Sequence, residues 1–230
     1  MRNDLKALGV GLLTTVALSA AVAAAQQDRA PWALGMSPTF SGRIPNWAQG
    51  DAMTPGEGVI SVLYDPGDGQ ELEIAQGIVR SNGDFDLSLR PAGAVPGGGR
   101  RPLDALCEDA EMVNVKVSNP DQLVVPVWLD VTELYEEGRH ARPEGSVMVR
   151  EGPPTAAFLV DRYAFIYADA DGTVTGSCSD GPFELQIDLD LRPGWNSVLM
   201  TFESGFAVKT AAIPAGAQWF LVNPVVLGRD

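Results

Sequence analysis

The strongest constraint on the fold is a strict alternation of apolar and polar residues late in the chain. In FELQIDLDL, residues 183–191, every odd position is apolar and every even position is polar. Successive side chains of a strand point to opposite faces, so this segment predicts a strand with one buried face and one wet face. The RPGW that follows, residues 192–195, has the chemistry of a type II turn. We therefore expect a β-hairpin from Phe183 to about Phe202, with Asp188 and Asp190 on its wet face.

The same pattern recurs in the first half of the chain. Runs at 59–64, 72–78 and 85–89 are apolar or alternating, and segments rich in Pro, Gly and Asn separate them. Asn82-Gly83 is a preferred two-residue hairpin turn, because both central positions of such a turn need positive φ. Many short strands joined by turns predict an all-β fold, specifically an antiparallel β-sandwich.

The middle of the chain is less regular. Residues 91–102, PAGAVPGGGRRP, have no periodicity and are interpreted as a loop or a linker between lobes. A single helical turn is expected within 103–110. The apolar run at 123–131 predicts a strand, and Pro126 favours an edge position for it.

The domain organisation follows from these segments. We expect a signal peptide at 1–25, an N-terminal β lobe with its linker at 26–102 and a C-terminal β lobe at 103–230. A single domain is the alternative, since a chain of this length can bury one good core.

The first 25 residues have the pattern of an export signal. Arg2 and Lys6 form a positive start, and AAA at 23–25 fits the small residues that precede a cleavage site. Cleavage is expected between Ala25 and Gln26. The alternative is an uncleaved anchor, since the 19 uncharged residues before that point could span a membrane. No later segment of the sequence is long and apolar enough to do so.

The acidic balance limits the partners of the chain. Its formal net charge is −14, and removal of residues 1–25 would make it −15. Such a chain repels nucleic acid and anionic lipid surfaces. The charge is interpreted as an aid to solubility in an exterior compartment, with a docking surface for cations or basic partners as the alternative.

Two cysteines occur in the sequence, Cys107 and Cys178. An exported chain meets an oxidising compartment, so a Cys107–Cys178 disulfide is expected. Two buried free thiols are the alternative. Export and the disulfide together predict a periplasmic, cell-envelope or extracellular location.

The segment YADADGTVTGSC, residues 167–178, poses a choice between a metal site and a turn. Asp169 and Asp171 begin like a calcium loop, but an EF-hand needs further oxygen ligands and a bidentate Glu at the end of its loop. The chain continues instead into a strand-like Thr-Val-Thr run. We therefore expect Asp171-Gly172 to be a two-residue hairpin turn between a central strand within 156–168 and a strand at 173–175.

Two parts of the chain carry a resemblance to known families. YADADGTVTGSC followed by FELQIDLDLRPGWN resembles the C-terminal part of uncharacterised exported bacterial β-proteins, which have Y-x-D-x-D-x-x-V-x-G-x-C and then a strand ending in L-x-x-GWN. SGRIPNW and AQGIVRSNGDFDLSL are similar to transthyretin-like or carboxypeptidase-regulatory-like β-sandwich domains. The first resemblance implies no known activity. The second implies a structural, adhesive or partner-binding module.

The sequence lacks the side-chain sets of common catalytic chemistries. Its single histidine, His140, lies in a charged stretch and is interpreted as a solvated loop residue. One His and two Cys leave no zinc or copper set, and neither a P-loop nor a dinucleotide fingerprint is present. We therefore predict no catalytic, cofactor-binding or metal-binding residues. A hydrolase that works through carboxylates alone is the least favoured alternative.

The favoured function is that of an exported, non-enzymatic envelope or extracellular protein with a structural or macromolecule-binding role. Its partner would be an envelope protein or a glycan. The alternative is a carbohydrate-binding module that uses exposed tryptophans, although such residues more often pack in cores or at turns. Trp195 is expected to fold over its own hairpin. The candidate side chains are Trp32, Trp47, Trp128, Trp195 and Trp219.

Overall fold

The structure is a computed structural model. It describes residues 30–45, 47, 57–90, 98–107, 111–133, 145–151, 161–180, 183–202 and 206–222. The predicted signal peptide and His140 lie outside these residues. A search of the described part of the chain for a helix long and apolar enough to cross a membrane finds none. One compact unit begins at Trp32 and contains every element named below.

The described residues are almost all β, as the alternation predicts. Fourteen strands and one short helix make up their regular structure. In chain order they are β1 (Ala33–Gly35), β2 (Thr39–Arg43), β3 (Gly58–Tyr64), β4 (Leu72–Val79), β5 (Asp84–Ser88), α1 (Pro102–Leu106), β6 (Glu111–Val117), β7 (Val124–Glu133), β8 (Gly145–Glu151), β9 (Arg162–Ala168), β10 (Gly172–Asp180), β11 (Phe183–Leu191), β12 (Gly194–Thr201), β13 (Phe206–Thr210) and β14 (Ala217–Val222).

The strands form one large mixed sheet, consistent with the predicted sandwich. Its order is β2-β5-β4-β3-β7-β8-β9-β12-β13-β11-β10-β6, with β1 beside β12 and β14 beside β8. Strands β11 and β13 run parallel. The other strand pairs of the described residues are antiparallel, so the sheet differs from the expected purely antiparallel arrangement at this one pair.

The hairpin predicted at Asn82-Gly83 is present, since β4 pairs with β5. β3 also pairs with β4. The turn between β4 and β5 has three residues instead of the expected two, because Arg80 N donates to Asp84 O at 2.8 Å and Gly83 N donates to Arg80 O at 2.7 Å. Gly83 has a φ of 85°, the left-handed conformation that closes a three-residue hairpin loop.

Two hairpins predicted in the second half are wrong. β9 and β10 follow one another in sequence, but β9 pairs with β12 and β10 pairs with β11. β11 and β12 are separated by β13, which lies between them in the sheet. The turn at 169–171 and the corner at 192–193 therefore connect strands that are not neighbours in the sheet. A local pattern identifies a strand and its buried face, but the partner is chosen by contacts elsewhere in the fold.

The edge position predicted for the strand with Pro126 is also wrong. That strand, β7, is central and pairs with β3, β8 and β9. Its first residue, Val124, forms a bridge with Arg100, and its pairing with β3 begins at Trp128. Pro126 lies between Val124 and Trp128, and its nitrogen faces the same side of β7 as these two contacts. Because no strand of the described residues pairs with that side of β7 at Pro126, the missing N–H removes neither a hydrogen bond of the Arg100 bridge nor one of the β3–β7 ladder.

Two clusters of buried side chains stabilise the unit. The first surrounds Phe85, Phe165 and Trp195, and its members run from Ile44 to Trp195. The second surrounds Leu189 and includes both cysteines. The first cluster draws residues from both sides of the boundary predicted at residue 102, and the division into two lobes stays a prediction.

Candidate functional site

The two aspartates of the D-x-D-G segment hold the chain in place and do not converge on a common point. Asp169 Oδ1 accepts a hydrogen bond from Leu123 N at 2.8 Å, and Asp171 Oδ1 lies 3.3 Å from Arg192 Nη1. The side chain of Gln122 is buried against this turn and donates to the carbonyl of Ala170. Within the described residues, no three His, Cys, Asp or Glu side chains are grouped as a metal site.

The Gly-Trp-Asn segment at 194–196 is also structural. Gly194 has a φ of 101°, and a Cβ there would lie 2.7 Å from the backbone of Gly35 in β1. Asn196 is fully buried and holds the corner, since its side chain accepts from Arg192 N at 2.9 Å and donates to Arg192 O at 2.8 Å. These contacts fix the bend of the chain between β11 and β12.

The prediction that Trp195 folds over its own hairpin is wrong. Trp195 lies in the first core, 1% exposed, and its indole N–H donates to Arg90 O at 2.9 Å. Its ring contacts that of Tyr167 at a centroid distance of 5.5 Å. It therefore links β12 to a segment more than a hundred positions earlier.

The other tryptophans are buried or half-buried too, as packing in the core or at turns requires. Trp32 donates its indole N–H to Asp190 O at 2.7 Å. Trp219 lies with its ring 4.9 Å from that of Phe85. Trp128 is the member of the set that lines a pocket.

The two cysteines lie at disulfide distance in the second core. The structure joins Cys107 to Cys178, with the Cα atoms 5.7 Å apart and 71 positions between them in sequence. Cys107 directly follows α1, the helical turn expected in this region, and its N–H donates to Leu103 O at 2.9 Å. A disulfide is a feature of oxidising, non-cytoplasmic compartments.

The candidate functional site is a pocket at a split in the sheet. The first half of β7 pairs with β9 as far as Val127 and Phe165. The second half pairs with β8 from Asp130 onwards. On the side of β7 that faces β8 and β9, Trp128 pairs with neither strand. β8 and β9 therefore diverge from β7 at Trp128. We name the opening between the three strands the split pocket.

The split pocket has a volume of about 510 Å³ and mostly apolar walls. Two residues directly opposite each other on adjacent antiparallel strands point to the same face of the sheet. The pairs Val149–Tyr163 and Met200–Arg162 therefore place Met148, Arg162, Ala164 and Met200 on one face. That face is opposite the one that Val149 and Phe165 bury in the first core. The residues that line the pocket are Pro126, Val127, Trp128, Leu129, Val147, Met148, Arg162, Tyr163, Ala164, Phe165 and Met200.

Arg162 is the charged residue of this lining. Its Nη1 lies 3.8 Å from Met148 Sδ, and its Cζ lies 5.0 Å from the centre of the Phe202 ring. The Phe202 ring is itself held edge-on by Phe206, at 5.5 Å. Burial lowers the pKa of the Arg162 guanidinium below its ordinary value. The charge is therefore partly removed from water and set against sulfur and an aromatic ring.

Tyr163 is the other titratable residue of the lining. Burial raises its pKa, and the negative charges of Glu151 and Asp161 raise it further. The phenol is consequently neutral near neutral pH. Tyr163 pairs with Val149 and packs against the first core, so its phenol points to the face opposite that of Arg162. The pocket thus presents one cation among apolar side chains, an arrangement suited to holding a ligand.

Sequence reasoning did not find this site. The aspartates, tryptophans and histidine that it singled out do not come together, and of them only Trp128 lines the split pocket. A signal was present in Asp161-Arg162-Tyr163-Ala164-Phe165, since an arginine enters a run that otherwise reads as a buried strand. The divergence of β8 and β9 that creates the pocket has no local signal.

Comparison of the chain with protein-family models, curated proteins and solved structures gives no match.

Proposed function

We propose that this protein is an exported, non-catalytic binding protein of the cell envelope or extracellular space, and that the split pocket is its binding site. One observation carries the proposal. Where β8 and β9 leave β7, the sheet forms a pocket of about 510 Å³ with apolar walls and few polar groups. Sites for small molecules are usually concave, mostly apolar and between about 300 and 1,000 Å³.

The chemistry of the lining favours binding over catalysis. Arginine stays charged at ordinary pH, and the raised pKa of Tyr163 keeps its phenol neutral. Neither group is a general base near neutral pH. A structural or macromolecule-binding role, with an envelope protein as partner, stays a prediction that is compatible with this pocket. The carbohydrate-binding alternative has no exposed tryptophan to support it.

The disulfide and the sequence of the first 25 residues support the location. The bond between Cys107 and Cys178 fits an oxidising compartment. The export pattern at 1–25 and the acidic charge favour the periplasm, the envelope or the exterior.

A neutral apolar dye tests the proposal without presupposing any charge on the ligand. Fluorescence of N-phenyl-1-naphthylamine is expected to rise saturably with the native protein. Ala164→Leu fills the pocket from β9 and is expected to weaken dye binding about tenfold or more, a loss of about 1.4 kcal/mol. Ala212→Leu, at an exposed alanine outside the lining, is the matched control and should bind as the native chain does.

The thermal unfolding midpoint of each variant shows whether it is folded. If Ala164→Leu does not fold, Met148→Phe fills the same pocket from β8. A folded native protein that gives no saturable signal contradicts the proposal. So does a folded, pocket-filled variant that binds the dye as tightly as the native chain.

A further inference from the structure

We infer that the ligand of the split pocket is a small amphiphile with an apolar tail and one carboxylate, and that Arg162 binds the carboxylate. This inference rests on the proposed function, because it names the class of ligand for the same pocket. It is carried by the contacts of Arg162, by a second arginine on the same face and by the apolar walls.

Arg162 differs from the arginines that form ion pairs. Arg80 lies 3.1 Å from Asp86, and Arg192 lies 3.0 Å from Asp190, and both of these arginines are well exposed. Arg162 is less exposed, and within the described residues its side chain contacts Met148 and Phe202 but no carboxylate. Sulfur and an aromatic ring attract a cation weakly and do not neutralise it. A partly buried cation without a carboxylate partner is stabilised when an anion binds to it.

A second arginine lies on the same face. Val149 of β8 pairs with Tyr163 of β9, and Arg150 and Arg162 each lie next to this pair on their strands, so both point to the face opposite that of Val149 and Tyr163. Residues opposite one another across such a pair point to the same face. The Nη1 atom of Arg150 is buried and has no hydrogen-bond partner. Two cations on adjacent strands thus create a local positive field within a strongly acidic chain.

Among the described residues, three acids lie near these arginines, and their positions keep them from offsetting this field. Asp161 and Glu151 are each one position away from an arginine, so they point to the opposite face. Asp161 Oδ1 accepts a hydrogen bond from Phe202 N at 3.1 Å. Asp130 of β7 points to the same face as Trp128. It pairs with Ser146, however, which is four residues before Arg150 in β8, so it lies well away from that arginine. Four residues of a strand span about 13 Å.

The ligand chemistry follows from this arrangement. The planar guanidinium matches the two oxygens of a carboxylate, with which it forms paired hydrogen bonds. The walls formed by Pro126, Trp128, Ala164 and Met200 are suited to an apolar tail. A polyanion would be repelled by the overall charge of −14, whereas a ligand with one negative charge meets mainly the local field.

Three ten-carbon probes separate the tail from the head group. Decanoate, decanol and decylammonium share the tail, and each is titrated calorimetrically below the concentration at which it forms micelles. Decanoate is expected to bind at least about tenfold more tightly than decanol, because hydrogen bonds between two charged groups are stronger than those to a neutral hydroxyl. Decylammonium is expected to bind most weakly of the three. Binding of decanoate should also raise the thermal unfolding midpoint of the native chain.

Arg162→Met tests the role assigned to the arginine. The variant is expected to lose the preference for decanoate over decanol and to keep the affinity for decanol. Without ligand it should be at least as stable as the native chain, because an apolar side chain replaces a partly buried charge. Arg80→Met removes an exposed, paired arginine elsewhere and should leave all three affinities unchanged.

The outcomes separate this inference from the proposed function. Equal affinities for decanoate and decanol, or a preference that survives in Arg162→Met, overturn the carboxylate inference. Binding of the neutral dye without binding of any ten-carbon probe overturns it as well. In each of these cases saturable dye binding leaves the proposed function standing. If neither the dye nor any probe binds the folded protein, the binding proposal fails together with the inference.

Discussion

Breaking the Cys107–Cys178 bond is expected to lower the free energy of unfolding by about 4 kcal/mol. The bond closes a loop of 71 positions. In the chain-entropy account, a closed loop of that length stabilises the native state by about 4 kcal/mol at 25 °C, because the unfolded chain loses freedom. For a domain of this size the change corresponds to a fall of roughly 8–16 °C in the unfolding midpoint.

The assay is urea unfolding of oxidised and reduced protein, followed by circular dichroism. Cys178 is 3% exposed, so reduction is done in denaturant before refolding with reductant present. Reduction keeps both sulfur atoms in the second core and therefore isolates the effect of the cross-link. A Cys107→Ala, Cys178→Ala chain, measured with and without reductant, controls for effects of the reductant itself. Coincident unfolding curves for the oxidised and reduced chains would refute the reasoning, as would two titratable thiols in denatured, unreduced protein.

Three further predictions concern single positions. Gly77→Ala should destabilise the fold by about 1–3 kcal/mol in urea unfolding, because a Cβ there collides with the backbone carbonyl of Asp86; Gly216→Ala, where a Cβ meets nothing within 4 Å, should change stability by no more than about 0.5 kcal/mol. Asn196→Ala leaves partly buried backbone groups of Arg192 unpaired and should cost about 1–3 kcal/mol, and a native unfolding midpoint would contradict the role given to this side chain. The hydrogen bond from Ser41 lowers the pKa of Asp86 below its ordinary value of 3.8, so in Ser41→Ala an NMR titration should find that pKa higher. Because the pKa of Asp86 is lower in the folded than in the unfolded chain, its stabilising effect is present above pH 3.8 and is lost as the pH falls through the folded-state pKa. The same Asp86 pKa in the native chain and in Ser41→Ala would show that Ser41 has no such effect.

Most strands of this protein could be predicted because their pattern is local. The alternation at 183–191 identifies β11, and the buried face is the one that its apolar residues predict, with Leu189 1% exposed. The hairpin β4–β5 was also predictable, since a short turn that contains Asn82-Gly83 joins its two strands.

The order of the strands in the second half was not predictable by the same means. Asp171-Gly172 and Pro193-Gly194 have turn chemistry, but turn chemistry does not specify which strands will pair. At the first position Gln122 occupies the space beside Gly172, and at the second Asn196 binds the backbone of Arg192. Both contacts depend on the folded arrangement. The split pocket has the same origin, since it exists only once β8 and β9 diverge from β7.

The pairing of β1 with β12 limits how early β1 can enter the sheet. Ser197 N, in β12, donates to Trp32 O at 2.9 Å, across a separation of 165 positions. β8 and β9 each have a neighbour from later in the chain as well, β14 and β12 respectively. Chains whose contacts join distant segments fold in milliseconds to seconds, more slowly than helical bundles, because long loops must close before those contacts form. β1 can enter the sheet only after residues 194–201 have been synthesised, so the earliest strand of the chain is among the last that can find its partner.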